Sequence, residues 1–271
     1  MPIKVALIGN PNVGKSVVFN NLTGLKQHTG NWPGKTIERK IGYFDFMDHE
    51  FEMIDLPGVY SLSAVSDDER VARDYLIDHR PDVVVDVLNA SQLERNLYLT
   101  LQLIELQLNL VVVLNMYDIV EARGDTIDVQ RLSEILCCPM VISTATKKKG
   151  MDELKEAILD VVPNHTHLVE DGEVVTIGHL PGENNQSDHM HYHPKHHHHG
   201  QFEKLKPPAI KYSREIESKL KTIVAILEEN KGLIDRFPPR WLALKLFEDD
   251  EEVIRLLGSQ DMLRRIREAI K

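Results

Sequence analysis

The residues best suited to chemistry stand near the amino terminus. Gly9-Asn10-Pro11-Asn12-Val13-Gly14-Lys15-Ser16 has the spacing G-x-x-x-x-G-K-[ST], in which a glycine-bearing turn aims backbone N–H groups at phosphate oxygens. The lysine adds a mobile charge for the outer phosphates, and the serine hydroxyl is a Mg²⁺ ligand. Asp55-Leu56-Pro57-Gly58 offers a carboxylate to the same ion through water and a Gly58 N–H to the terminal phosphate. Asn115-Met116-Tyr117-Asp118 places a carboxylate where it accepts from guanine N1–H and the 2-amino group. Adenine offers neither donor, so the wrong base leaves a polar group unpaired. Ser143-Thr144-Ala145 sits where a backbone N–H meets guanine O6. Within Gly34-Lys35-Thr36-Ile37-Glu38, Thr36 is placed to join Ser16 and Asp55 around Mg²⁺ while a γ-phosphate is present, and to let go afterwards. The phosphate loop alone indicates a nucleotide, and each of the later motifs alone is weak. Together they predict a protein that binds GTP and GDP with Mg²⁺ and hydrolyses GTP, with residues 34–38 as switch I and 55–58 as switch II.

These motifs function only at the ends of strands. Short apolar runs occur at 3–8, 51–54, 83–88, 110–114 and 140–142, and runs apolar on both faces suit a parallel sheet covered by helices. Helix-period segments lie between them at 17–22, 68–78, 92–106, 129–136 and 151–161. Residues 36–46 alternate, which predicts an antiparallel edge strand in a hairpin with 51–54. The expected fold is α/β, a doubly wound and mostly parallel six-stranded sheet with its ligand site at the carboxyl ends of the strands. Beyond Pro207-Pro208, residues 212–229 set Ile216, Leu220, Ile223 and Leu227 on one helical face. Segments 241–247, 253–257 and 262–270, the last after a Ser259 N-cap, extend this into a small all-α unit.

Composition bounds the partners. Of 271 residues, 32 are Lys or Arg and 42 Asp or Glu, a net charge of −10. Such a chain has no general attraction for nucleic acid or anionic lipid, and no nucleic-acid partner is expected. The acidity sits mostly in 1–162, the proposed G domain. Residues 163–207 read as a linker, and 208–271 as a nearly neutral helical domain. Cys137 and Cys138 are neighbours and cannot build a disulfide framework, which favours a reducing compartment. Residues 1–4 lead into a strand without a signal-peptide pattern, and no run approaches the roughly 18 apolar residues of a membrane span. The expectation is a cytosolic chain, or the cytosolic part of a longer one.

Several stretches are similar to the FeoB family of ferrous iron transporters: Gly30-Asn31-Trp32-Pro33-Gly34-Lys35-Thr36, Asp55 through Leu62, Glu69-Arg70-Val71-Ala72-Arg73-Asp74-Tyr75, Glu94 through Thr100, and Arg240 through Leu246. The resemblance implies a G domain and helical domain that regulate transport from the cytoplasmic face of the membrane, with a membrane-embedded portion C-terminal to this chain. A homo-oligomer is left open. The resemblance also implies a monovalent-cation site. Asn12 matches the residue that holds K⁺ between the phosphates in potassium-activated relatives, and backbone carbonyls of Gly30 and Trp32 complete it. Val59 stands where many GTPases carry a water-orienting glutamine, so intrinsic hydrolysis is expected to be slow. Potassium would then supply the charge that an arginine finger supplies elsewhere. Lys35 departs from the family, which usually has an apolar residue there.

Eight of the 13 histidines fall in 179–199. His189, His191 and His193 share one side of an extended chain, within reach of one divalent metal such as Zn²⁺, Ni²⁺ or Cu²⁺. A plain low-complexity linker is the competing reading. Two other functions share the phosphate loop. One is a soluble GTPase of the ribosome or tRNA, which calls for a basic appendage that 208–271 lacks. The other is a nickel metallochaperone GTPase, which usually carries its histidines before the phosphate loop.

Overall fold

The computed structural model describes residues 1–63, 65–162, 167–168, 174–175 and 210–270. The main sheet contains β1 (Ile3–Gly9), β2 (Gln27–Asn31), β3 (Glu38–Phe46), β4 (His49–Asp55), β5 (Val83–Asn89), β6 (Leu110–Asn115) and β7 (Met140–Ile142). Its order is β2-β3-β4-β1-β5-β6-β7. From β4 through β7 every pairing is parallel, whereas β2, β3 and β4 form an antiparallel meander. Residues His167–Leu168 and Val174–Val175 pair separately.

The sheet has seven strands, not the six expected from sequence. The added strand, β2, is Gln-His-Thr-Gly-Asn, and four of its five residues are exposed. An edge strand with no buried face has no apolar alternation to betray it. The edge therefore belongs to β2, and the alternating β3 lies one strand inside it, with Ile41 opposite Ile54.

Alternate residues of the central strands feed two cores, as the pleat requires. Val5 and Leu7 of β1 face α1 (Lys15–Thr23), while Leu154 and Ile158 of α6 (Met151–Val161) complete that layer. Ala6 and Ile8 face the opposite layer, which holds Leu76 of α2 (Asp67–His79) and Leu99 and Leu103 of α3 (Leu93–Glu105). Two shorter helices, α4 (Tyr117–Arg123) and α5 (Val129–Leu136), bracket the path from β6 to β7.

The second core continues into the carboxyl-terminal helices α7 (Arg214–Leu227), α8 (Lys231–Ile234), α9 (Pro239–Phe247), α10 (Glu251–Leu257) and α11 (Gln260–Ile270). There Leu220, Ile223, Trp241 and Leu242 are buried together. Ion pairs link this unit to α2 and α3. Arg73, 2% exposed, meets Glu252 at 2.8 Å. Arg236 is bidentate to Asp78 at 2.8 and 2.9 Å, and Arg240 reaches Glu105 at 3.4 Å. Among the described residues no helix is long and apolar enough to cross a membrane.

Candidate functional site

Four strands end on the same side of the sheet, and each delivers one motif. β1 runs into the turn Asn10–Gly14, which opens α1 without a side-chain cap, so no capping side chain takes up the first N–H groups of the helix. That helix end is a ready anion site. Gly14 has φ +85°, and a Cβ there would lie 2.4 Å from Asn115 Nδ2. Only glycine fits so close to the neighbouring loop.

Asn115, at the end of β6 and 3% exposed, staples two motifs together. Its amide donates to Val13 O at 2.8 Å, and its Oδ1 accepts from Ala145 N–H at 3.0 Å. Asn21 of α1 adds a bond to Ala145 O at 2.7 Å. Met116 takes a left-handed conformation, φ +59°, which turns the chain into α4 and leaves Asp118 half-buried in its first turn. Tyr117 N–H bonds Ser143 O at 3.2 Å, tying the two loops again.

The three candidate O6-reading N–H groups are not equivalent. Ser143 N–H is taken by Leu114 O at 2.9 Å, and Ala145 N–H by Asn115. Thr144 N–H makes only a 3.3 Å bond to Lys149 O, so it is the most readily available donor.

Facing the phosphate loop, Lys15 and Asp55 form an ion pair, both nearly buried at 12% and 8% exposure. A cleft of about 240 Å³ runs beside them, lined by Lys15, Ser16, Ile37, Glu38, Asp55, Leu56, Pro57, Gly58 and Asp68, with Lys40. Hydroxyl and carboxylate donors with room for phosphate and water oxygens form the hard-oxygen set that suits Mg²⁺. Val59 N–H bonds Gly9 O at 3.1 Å, which seats the second switch on the phosphate loop. The Val59 side chain is buried and apolar, so it cannot orient water.

The segment 34–38, expected to be switch I, divides at this cleft. Ile37 and Glu38 line it, whereas Gly34, Lys35 and Thr36 are exposed and do not. Gly30 lies in β2, paired opposite Arg39. The Trp32 carbonyl accepts from Lys35 N–H at 3.0 Å. Trp32 itself is buried against α2, where its ring meets Tyr75 edge-on at 5.5 Å. Asn12 is exposed at φ +65°, and Asn12, Gly30 and Trp32 are absent from the cleft wall. His189, His191 and His193 lie outside the described residues.

Two contributors escaped the sequence reading. Lys147 reaches Asp118 Oδ2 at 3.0 Å. Its only signal was the triplet Lys147-Lys148-Lys149 beside the Ser-Thr-Ala motif. Gly150, at φ +83°, allows α6 to start directly against Ile142 O, where a Cβ would stand at 2.2 Å.

A family model described as ferrous iron transport protein B matches residues 3–158, and one described as the FeoB cytosolic helical domain matches 212–271. A Porphyromonas gingivalis Fe(2+) transport protein A/Fe(2+) transporter FeoB fusion protein is 37% identical over 259 residues, covering 95% of this chain and 26% of the relative. The Fe(2+) transporter FeoB of Salmonella typhimurium is 48% identical over 160 residues, covering 58% and 21% respectively. The chain thus spans about a quarter or less of the length of these curated relatives. Among solved structures, a GDP-bound variant of S. thermophilus NFeoB superposes with a TM-score of 0.78 at 34% identity, covering 100% of this chain and 88% of that one. The apo cytosolic domain of the T. maritima FeoB iron transporter gives 0.74 at 30% identity, covering 100% and 96%.

Proposed function

Because this chain belongs to the FeoB family, we propose that it is the GTP-binding and GTP-hydrolysing unit of a ferrous iron transporter, acting on a membrane-embedded portion carried by the longer protein. The observation that carries the reading is the Asn115 staple, which unites the phosphate loop with the 143–145 loop at the strand end from which Asp118 follows. The helical match over 212–271 weighs against a ribosomal GTPase or a nickel metallochaperone.

In this reading the backbone N–H groups of residues 12–16 and the Lys15 ammonium hold the β- and γ-phosphates, Pro11 having no N–H to give. Lys15 exchanges its Asp55 partner for phosphate as nucleotide enters. Ser16 and Asp55, the latter through water, would hold Mg²⁺, which would supply charge neutralisation at the phosphates. Thr36 would join them when a γ-phosphate is present. Gly58 N–H meets that phosphate, Asp118 accepts from the guanine edge, and Thr144 N–H donates to O6. No side chain at position 59 activates water, so slow intrinsic hydrolysis follows. Potassium held by Asn12 and the carbonyls of Gly30 and Trp32 would compensate in the transition state. Building that site requires residues 30–32 to leave the arrangement described above. The tract around His189, His191 and His193 is a separate divalent-metal binder in this proposal.

Asp118→Asn tests the base assignment. The variant is expected to lose GTP affinity and gain xanthosine triphosphate, whose N1 and C2 groups suit an amide. Unchanged GTP binding would refute it.

A further inference from the structure

Two contacts dock the loop around Thr36 on α2, and a third braces it from β3. The Trp32 ring, 7% exposed, packs edge-on to Tyr75 at 5.5 Å. The Arg39 guanidinium stands over the same indole at 5.6 Å, a cation–π contact that holds β3 against it. Lys35 reaches Asp67, the first residue of α2, at 2.7 Å. This hydrogen bond is the main reason the Asp67 carboxyl sits below its ordinary range. Between these anchors the chain closes on itself, with Trp32 N–H on Ile37 O at 2.9 Å and Lys35 N–H on Trp32 O at 3.0 Å.

Thr36 lies inside that closed turn, exposed and off the cleft. It cannot swing toward Ser16 and Asp55 while both flanking anchors hold, because Lys35 is its direct neighbour and the Trp32–Ile37 bond spans it. We propose that Trp32 and Lys35 form a latch that keeps switch I on α2, and that GTP binding must release it. The proposal rests on the GTP reading given above and adds to it the residues that oppose the switch.

The latch is suited to breaking. The Trp32 indole N–H is buried without a hydrogen-bond partner, and an unpaired buried donor offsets part of what the ring gains by burial. The Lys35–Asp67 pair is partly exposed, 38% and 57%, so its contribution is small and screened by salt.

Tryptophan emission and acrylamide quenching test the latch on the whole chain with Mg²⁺ and either GDP or a non-hydrolysable GTP analogue. Labelled nucleotide measures binding in parallel. The analogue is expected to shift emission to longer wavelength and raise quenching, while GDP leaves both as they are. Trp32→Phe identifies the source, since the other tryptophan, Trp241, is 1% exposed in the helical unit. Tyr75→Leu removes the aromatic contact and should raise analogue affinity relative to GDP by about 2–10-fold. Lys35→Ala should raise it by up to about fivefold. Analogue binding with Trp32 emission and quenching unchanged would overturn the latch, as would an unaltered analogue-to-GDP ratio in both variants. A chain that binds neither guanine nucleotide would instead overturn the GTP reading on which it rests.

Discussion

Replacing Asn115 with alanine asks whether one side chain holds the proposed guanine site together. At 3% exposure it satisfies two backbone groups of different loops, Val13 O at 2.8 Å and Ala145 N–H at 3.0 Å. Alanine strands both, at about 1–3 kcal/mol for each buried group left unpaired. Removing the amide returns part of that, because its own desolvation no longer has to be offset. The expected net loss is about 2–4 kcal/mol, a large fraction of the roughly 5–15 kcal/mol that holds a domain folded. At roughly 2–4 °C per kcal/mol for a chain of this size, Tm should fall by about 5–15 °C. Urea unfolding gives the free energy, and titration with labelled GDP gives the affinity. Both should fall together, because the loops that Asn115 joins are the ones that hold nucleotide. A stability loss under about 0.5 kcal/mol, within the range of ordinary surface substitutions, would refute the reasoning. If affinity had nonetheless collapsed, Asn115 would act on the ligand and not on the loops.

Thr36→Ala should spare GDP binding and slow GTP turnover, because Thr36 engages only with the γ-phosphate and Mg²⁺ in place; equal loss of both affinities would make the loop structural. Hydrolysis should run faster in KCl than in NaCl at equal ionic strength, and Asn12→Ala should abolish the difference with a loss on the order of tenfold or more. Indistinguishable rates in the two salts would remove the cation from the mechanism. Asp86, 1% exposed and hydrogen-bonded by Thr100 at 2.7 Å, has its carboxyl pushed by burial from 3.8 up to about 7. The folded chain then keeps a proton that the unfolded chain releases, so this group's contribution to stability falls as pH rises from about 4 to 7 and levels off above. Asp86→Asn should therefore stabilise the protein by about 1–4 kcal/mol at pH 8 and hardly at all near pH 4; a pH-independent gain would contradict the assignment.

Residues 9–16, 55–58, 115–118 and 143–145 were legible because each motif is contiguous and closes a strand whose apolar run is itself visible, whereas 34–38 follow β2, which has no such run. The segments 129–136 and 151–161 match α5 and α6 to the residue, since both carry an apolar stripe at helical spacing. What stayed hidden is tertiary. Nothing in Gln-His-Thr-Gly-Asn marks β2, whose reason for being extended is its neighbour β3. Four-residue α8 is too short for periodicity to register, and in α4 Val120 is the sole buried residue, so no apolar stripe shows. Nothing in the sequence around Trp32 says which way its ring faces, and only the position of Tyr75 shows that it packs inward. The spacing Asn-x-x-Asp names Asn115 but not its partners at 13 and 145, which lie 102 and 30 residues away. Distance along the chain, more than chemistry, separated the legible part of the site from the rest.

The ion pairs between α2 or α3 and the carboxyl-terminal helices bear on how freely the sequence between them can diverge. Arg73–Glu252, Asp78–Arg236 and Glu105–Arg240 fasten the two units directly, whatever the covalent path from 162 to 210 contains. The way the two units meet is thus set by these pairs and not by the length of the path between them. Register within α2 is correspondingly tight. There an inserted residue would rotate Arg73 and Asp78 by about 100° relative to the residues before it, turning both away from their partners while the switch that precedes them stayed in place.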